Sequence, residues 1–174
     1  MFRQPLWESQ KRDSIQIGRY SAKDIPVLNK HELVAGKLAA LLARTQSRDL
    51  YDSARILESL TLDNELLRMA FIVYGGMNRI DWREITIDRV AVDPDDLGRK
   101  LLPVLHSQSA SQELTPKVYG NKLVKHCREG LKRVLPFTAK EQAFLDSLLD
   151  EGPIDPSLLT DDPELQAAGA CIFS

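Results

Sequence analysis

Between Asn64 and Asn78 the apolar side chains Leu66, Leu67, Met69, Phe71, Ile72, Val73, Tyr74 and Met77 surround nearly the whole helical wheel. A helix without a polar face is stable in water only when other elements cover it on every side, so this stretch is the expected buried centre of a helical bundle. The flanking sequence supplies the partners. Asn29, with Glu32 three residues on, is a capping-box-like start. Leu33, Val34, Leu38, Leu41 and Leu42 then recur at helical spacing, which predicts a helix from about Lys30 to Arg44. Thr45-Gln46-Ser47 interrupts that pattern, Ser47 offers a cap, and Arg48 to Leu60 forms the next helix. Asp93-Pro94 opens a helix to about His106, and Thr115-Pro116 opens a longer one to about Leu135. Thr138 and Glu141 form a T-x-x-E capping box for a helix ending at Gly152, and a short one follows Pro163. Ile80 to Val92 reads either way, and the Ser- and Gln-rich stretch Ser107 to Glu113 is a loop.

The front of the chain behaves differently. Met1 to Leu28 has no helical period and holds two β-like runs, Ser14 to Ile17 and Ile25 to Leu28. Pro26 cannot donate to a ladder, so the second run is an edge strand or an extended lead-in. Two short strands do not make an independent sheet. They are either extended arms packed on the helices or the edge of a sheet whose other strands lie elsewhere. The expected fold is therefore mainly α, a bundle of five to six helices with a few short N-terminal β-strands. The expected division is 1–28, a helical domain at 29–163 and a C-terminal tail at 164–174.

Composition narrows the function classes. Lys and Arg number 23 against 25 Asp and Glu, a net charge of −2, and 43% of the chain is apolar, the profile of an ordinary soluble globular domain. No apolar run is long enough for a bilayer, because Lys37 interrupts the one around Leu33 to Ala43. MFRQPLWESQKRD at the N-terminus lacks the apolar core of a signal peptide, so a cytoplasmic location without a membrane partner is expected. Cys127 and Cys171 are too few for a disulfide framework and read as reduced thiols. His31, His106 and His126 have no metal-ligand spacing, and Trp7 and Trp82 read as packing residues. Residues 1–60 carry ten basic and seven acidic side chains, whereas 61–174 carry 13 and 18, so a polyanion is expected to meet the first third of the chain.

One constellation can carry chemistry. Lys30, Lys37 and Arg44 are seven apart and fall at nearly the same wheel angle, flanked by Leu33 and Leu41. Such a stripe bordering an apolar face either snorkels or projects into a cleft to meet an anion. On the next helix Asp49 and Asp52 share a flank. They either favour the helix dipole, with Arg48 and Asp52 as an i, i+4 pair, or serve a site, with Asp49 partly buried against Lys37 or Arg44. The short turn also suggests a helix-turn-helix, but Arg48 to Leu60 holds two arginines and three acids, the wrong sign for DNA phosphates.

The passage HELVAGKLAALLARTQSRDLYDSARIL, His31 to Leu57, resembles the helical motif pair of the AbiEii/AbiGii nucleotidyltransferase toxins of bacterial type IV toxin–antitoxin systems. Their pattern E-x-x-A-x-K-x-x-A-h-x-x-R, with h apolar, followed by R-D-x-x-D, is met by Glu32, Ala35, Lys37, Ala40, Leu41 and Arg44, then Arg48, Asp49 and Asp52. Weaker similarity runs from about Pro5 to Pro163. The resemblance implies the C-terminal helical portion of an α/β nucleotidyltransferase-type fold, with 1–28 as what remains of its sheet. It implies catalytic roles for Lys37, Asp49 and Asp52, and nucleotide binding by Lys37, Arg44 and Arg48. It further implies Mg²⁺ and a nucleoside triphosphate, an RNA acceptor and an antitoxin; separately, an apolar patch left exposed where sheet strands are missing could drive a homodimer. The family's G-S/T turn and D-x-D pair have no counterpart before His31, so no metal ligands are assigned and the chain is expected to be inactive alone. The alternatives are a helical protein-interaction module and a non-functional gene remnant.

Overall fold

The computed structural model describes residues 5–105, 115–152 and 155–172, with backbone only at 151 and 168–172. Among the described residues, seven α-helices, several short 3-10 and π turns and one two-stranded ribbon make up the fold. The strands and α-helices are β1 (Gln10–Arg12), β2 (Ile25–Val27), α1 (Lys30–Arg44), α2 (Ser47–Ser59), α3 (Asn64–Gly76), α4 (Pro94–Asp96), α5 (Pro116–Leu131), α6 (Ala139–Asp146) and α7 (Pro163–Ile172). The mainly helical class is as expected. α4 is shorter than expected, at three residues, and the short helix expected after Pro163 is the ten-residue α7.

α3 is the centre. Leu67 and every residue from Met69 to Gly76 are buried, and α1 and α6 pack on it. Its fit depends on glycine: Trp82 is fully buried 5.4 Å from the Phe71 ring, and a Cβ on Gly75 would lie 1.9 Å from Trp82 Nε1. The ambiguous stretch from Ile80 resolves as two single turns of tight helix, Trp82–Glu84 and Ile87–Arg89, that seat this indole and give no strand.

Several boundaries shift for local reasons. Ser47 does not cap α2. It is the first helical residue, Gln46 precedes it without a side-chain cap, and Ser47 Oγ instead donates to Asp96 Oδ2 at 2.8 Å, tying α2 to α4. After α4 the chain widens, Leu102 N–H reaching the Leu97 carbonyl, and then tightens over Leu102–Val104 around Pro103. The expected end at His106 and the Ser107 to Glu113 loop lie outside the described residues. α5 stops at Leu131 and not Leu135. Lys132, Arg133 and Val134 N–H each bond three residues back, and Leu135 precedes a proline, which disfavours helical backbone. The Thr138 and Glu141 capping box forms in both directions, and Gly152 closes that segment at φ +81°.

The first strand is Gln10–Arg12, not Ser14 to Ile17. Gln10, Lys11 and Arg12 lie opposite Val27, Pro26 and Ile25 in antiparallel register. Ser14 to Ile17 instead leads into the hairpin tip, where Ile17 bridges Tyr20 around Gly18 at φ +60°. The ribbon is an extended arm standing away from the helices, with Ile15, Ile17 and Tyr20 82%, 71% and 68% exposed. Its base is fastened to them. Leu6 is buried, and the Trp7 ring meets His31 edge-on at 6.2 Å.

Candidate functional site

α1 and α2 run antiparallel across a turn made only of Thr45 and Gln46, since Lys37 pairs with Asp52 and Arg44 with Asp49. Thr45 holds the left-handed conformation, φ +52°, and its N–H closes on the Leu41 carbonyl. That tight reversal lays the first turn of α2 against the last turn of α1.

The three stripe cations reach different partners. Lys30 Nζ donates to the Thr61 carbonyl. Lys37 Nζ donates to Asp52 Oδ2 at 2.8 Å, with the two side chains 40% and 35% exposed. Arg44 grips Asp49 with two bonds, Nε to Oδ2 at 3.1 Å and Nη2 to Oδ1 at 2.9 Å. Here the carboxylate is 6% exposed while the guanidinium side chain is 57% exposed. A fork of this kind fixes Arg44 in plane and leaves its other N–H donors toward solvent. Ser53 Oγ, buried beneath, donates to the Lys37 carbonyl.

Arg48 stands apart. The i, i+4 pair with Asp52 does not form, because Lys37 takes that carboxylate, and Arg48 has no ion pair among the described residues. It is exposed at the start of α2 and borders a cleft of about 350 Å³ shared with Lys100, Ser47 and Asp96. The Asp96 carboxyl is held below the usual carboxylate range by its bonds to Lys100 and Ser47.

Glu32 and His31 have roles that the motif does not reveal. Glu32 does not reach back to complete the capping box. It is 1% exposed, and its carboxylate accepts from Leu6 N–H, Trp7 N–H and, at 2.9 Å, the Tyr74 hydroxyl. His31, 4% exposed, accepts from Asp63 N–H at Nε2 and so carries its proton on Nδ1, toward Asn29 Oδ1. Burial pushes its pKa down, aided by Lys30. These two side chains join the arm, α1 and α3. Only their distance in sequence from Leu6, Asp63 and Tyr74 hid this.

Other expected residues fall in place as packing. Cys127 is a buried free thiol whose burial pushes its pKa up to about 12. The Cys171 side chain lies outside the described residues.

A Mg²⁺ site does not fit these carboxylates. Both Asp49 oxygens are taken by Arg44, Asp52 holds Lys37, and among the described residues no three His, Cys, Asp or Glu side chains converge. What the geometry defines is a helical domain presenting braced cations at one helical hairpin, the kind of surface that receives phosphates. The family described as nucleotidyl transferase AbiEii toxin, type IV toxin–antitoxin system, matches residues 2–154. The chain belongs to that family. No curated protein and no solved structure matches it. Among the described residues no helix is long and apolar enough to cross a membrane.

Proposed function

We propose that this chain takes part in nucleoside-triphosphate-dependent transfer of a nucleotide to RNA, and that its share of the work is to hold the triphosphate. The observation that carries this is the pairing of Lys37 with Asp52 and Arg44 with Asp49 across the two-residue turn. An ion pair as exposed as Lys37–Asp52 contributes roughly 0–1 kcal/mol, so a phosphate displaces the aspartate at little cost. Arg44 needs no displacement, because Asp49 positions the guanidinium while its outer donors bind phosphate oxygens. Arg48 adds a cation at the N-terminus of α2, where the helix dipole also favours an anion. Lys37, Arg44 and Arg48 are thus the nucleotide-binding side chains, and Asp49 and Asp52 are positioning residues. Phosphoryl chemistry of this type runs on positioning and charge neutralisation, with divalent metal supplying the Lewis acid when bound. The carboxylates described here are committed to cations, so the chain alone binds nucleotide without turning it over, and a cytoplasmic antitoxin is its partner as a type IV toxin.

The test is a calorimetric titration with the Mg²⁺ complexes of the four ribonucleoside triphosphates, followed by incubation with α-labelled nucleotide and RNA. Binding without label transfer is expected. Absence of binding by all four contradicts the nucleotide site, and transfer by the chain alone contradicts the reading that Asp49 and Asp52 serve only to position cations.

A second observation favours self-association. The hairpin tip exposes Ile15, Ile17 and Tyr20, and the two strands at its base have outer edges unpaired among the described residues, a surface suited to pairing with a second copy. Light scattering of Ile17→Lys against the parent chain checks this: a dimer that becomes a monomer is expected, and a monomeric parent contradicts it.

A further inference from the structure

The most cationic helix is not in the first third of the chain, where the charge count pointed. α5 carries Lys117, Lys122, Lys125 and Arg128 against the single acid Glu129. Summing over 61–174 hides it behind the acidic C-terminal stretch. Gly120, Leu123, Cys127 and Leu131 face inward, and α5 packs on α2. Lys122, Lys125 and His126 are left exposed along the outer edge. Between that edge and α2 lies an open groove of about 430 Å³, with Ala54 and Leu123 in its floor and half-buried Tyr119 in its wall. The acids at its rim are already engaged, Glu58 with Arg55 at 2.8 Å and Glu129 with Lys132 at 2.7 Å. Lys122 and Lys125 form no ion pair among the described residues, although Lys125 helps to hold Glu129 ionised.

We propose that the α2–α5 groove binds single-stranded RNA through its phosphodiester backbone and is the docking site of the acceptor strand, a proposal that rests on the nucleotidyl-transfer role given above. Lys122 and Lys125 are one helical turn apart, about 5–6 Å, a spacing that lets each ammonium meet a successive phosphate. Tyr119 presents a ring on which a base can stack, which is tolerant of sequence. An acidic polypeptide would want a longer apolar floor than Ala54 and Leu123 offer. Position supports the pairing with the nucleotide site. On α2, Asp52, which holds Lys37, and Arg55, which lines the groove, are one helical turn apart, about 5–6 Å between Cβ atoms, so the two sites adjoin. A strand lying in the groove needs to cross only α2 to bring its end to a bound triphosphate.

The experiment measures fluorescence anisotropy of a labelled single-stranded RNA of about 16 nucleotides with the full chain, across a KCl series, for the parent and for Lys122→Glu/Lys125→Glu. Both lysines are exposed, and circular dichroism and melting are expected to be unchanged. The double variant is expected to bind at least about tenfold more weakly, with the slope of log K against log salt reduced by about 1.4, or 0.7 for each lost contact. Titration of the same variant with Mg-nucleotide is expected to give the parental affinity. Nucleotide binding that persists while RNA affinity ignores the substitutions overturns the groove alone. Lysine-dependent RNA binding by a chain that binds no nucleotide keeps the groove and removes the triphosphate site. Polyglutamate binding more tightly than RNA, with the same lysine dependence, overturns the proposal in favour of an acidic protein partner.

Discussion

The two ends of α1 carry the polar residues of one motif, yet they do opposite things. At its start, His31 and Glu32 are buried and Asn29 is half-buried, and their side-chain hydrogen bonds among the described residues end within the arm, α1 and the start and body of α3. Further along and at its end, Lys37 and Arg44 reach past the rim to pair with α2, with much of their surface in solvent. A buried polar group is held by what it would cost to strand its partners, whereas an exposed pair is cheap and exchangeable. Motif membership therefore says little about role until burial is known. Glu32 and Lys37 sit five residues apart on one helix, and only Lys37 is available to a ligand.

That contrast breaks most visibly at Glu32. Glu32→Ala leaves Leu6 N–H and the Tyr74 hydroxyl buried without this acceptor and is expected to cost about 3 kcal/mol, a fall in Tm of about 6–12 °C by calorimetry. Arg44→Ala comes next. It leaves the buried Asp49 carboxylate without its fork and is expected to cost about 2 kcal/mol in urea unfolding, less than for a fully enclosed pair because Arg44 is half in solvent. A smaller effect is expected at His31 as a dependence on pH. Its folded pKa is depressed below 6.5, so the unfolded chain takes up the proton first. The stability it contributes is present above 6.5 and is lost as pH falls below that value, and His31→Gln should flatten this slope in unfolding measured between pH 7 and pH 5. Smallest in stability is Lys37→Ala, expected to shift unfolding by less than about 1 kcal/mol.

How much of this was legible in the sequence follows the range of the interactions. α1 and the burial of α3 were readable because apolar periodicity is local, and the Thr138 box because its partners are three residues apart. The antiparallel α1–α2 hairpin follows from its short turn, which is why Asp49 against Arg44 could be posed as an alternative beforehand. The position of β1 was missed because Ser14 to Ile17 has the β-like residues while Gln10 to Arg12 has the pairing partners, and only register decides between them. Glu32 was read as a cap because its real partners at Leu6 and Tyr74 are 26 and 42 residues away. The α5 lysines were lost to averaging, since net charge over a long segment conceals a charged face on one helix.

The central claim is that the exposed side of α1 binds triphosphate while its buried start only builds the fold. The most direct measurement is nucleotide affinity and Tm on the same samples of Lys37→Ala and Glu32→Ala, using the Mg-nucleotide the parent binds best, at a temperature where both variants are folded. The expected result is at least about tenfold weaker binding with an almost unchanged Tm for Lys37→Ala, and a lowered Tm with parental affinity for Glu32→Ala. Unchanged affinity in Lys37→Ala would contradict the account.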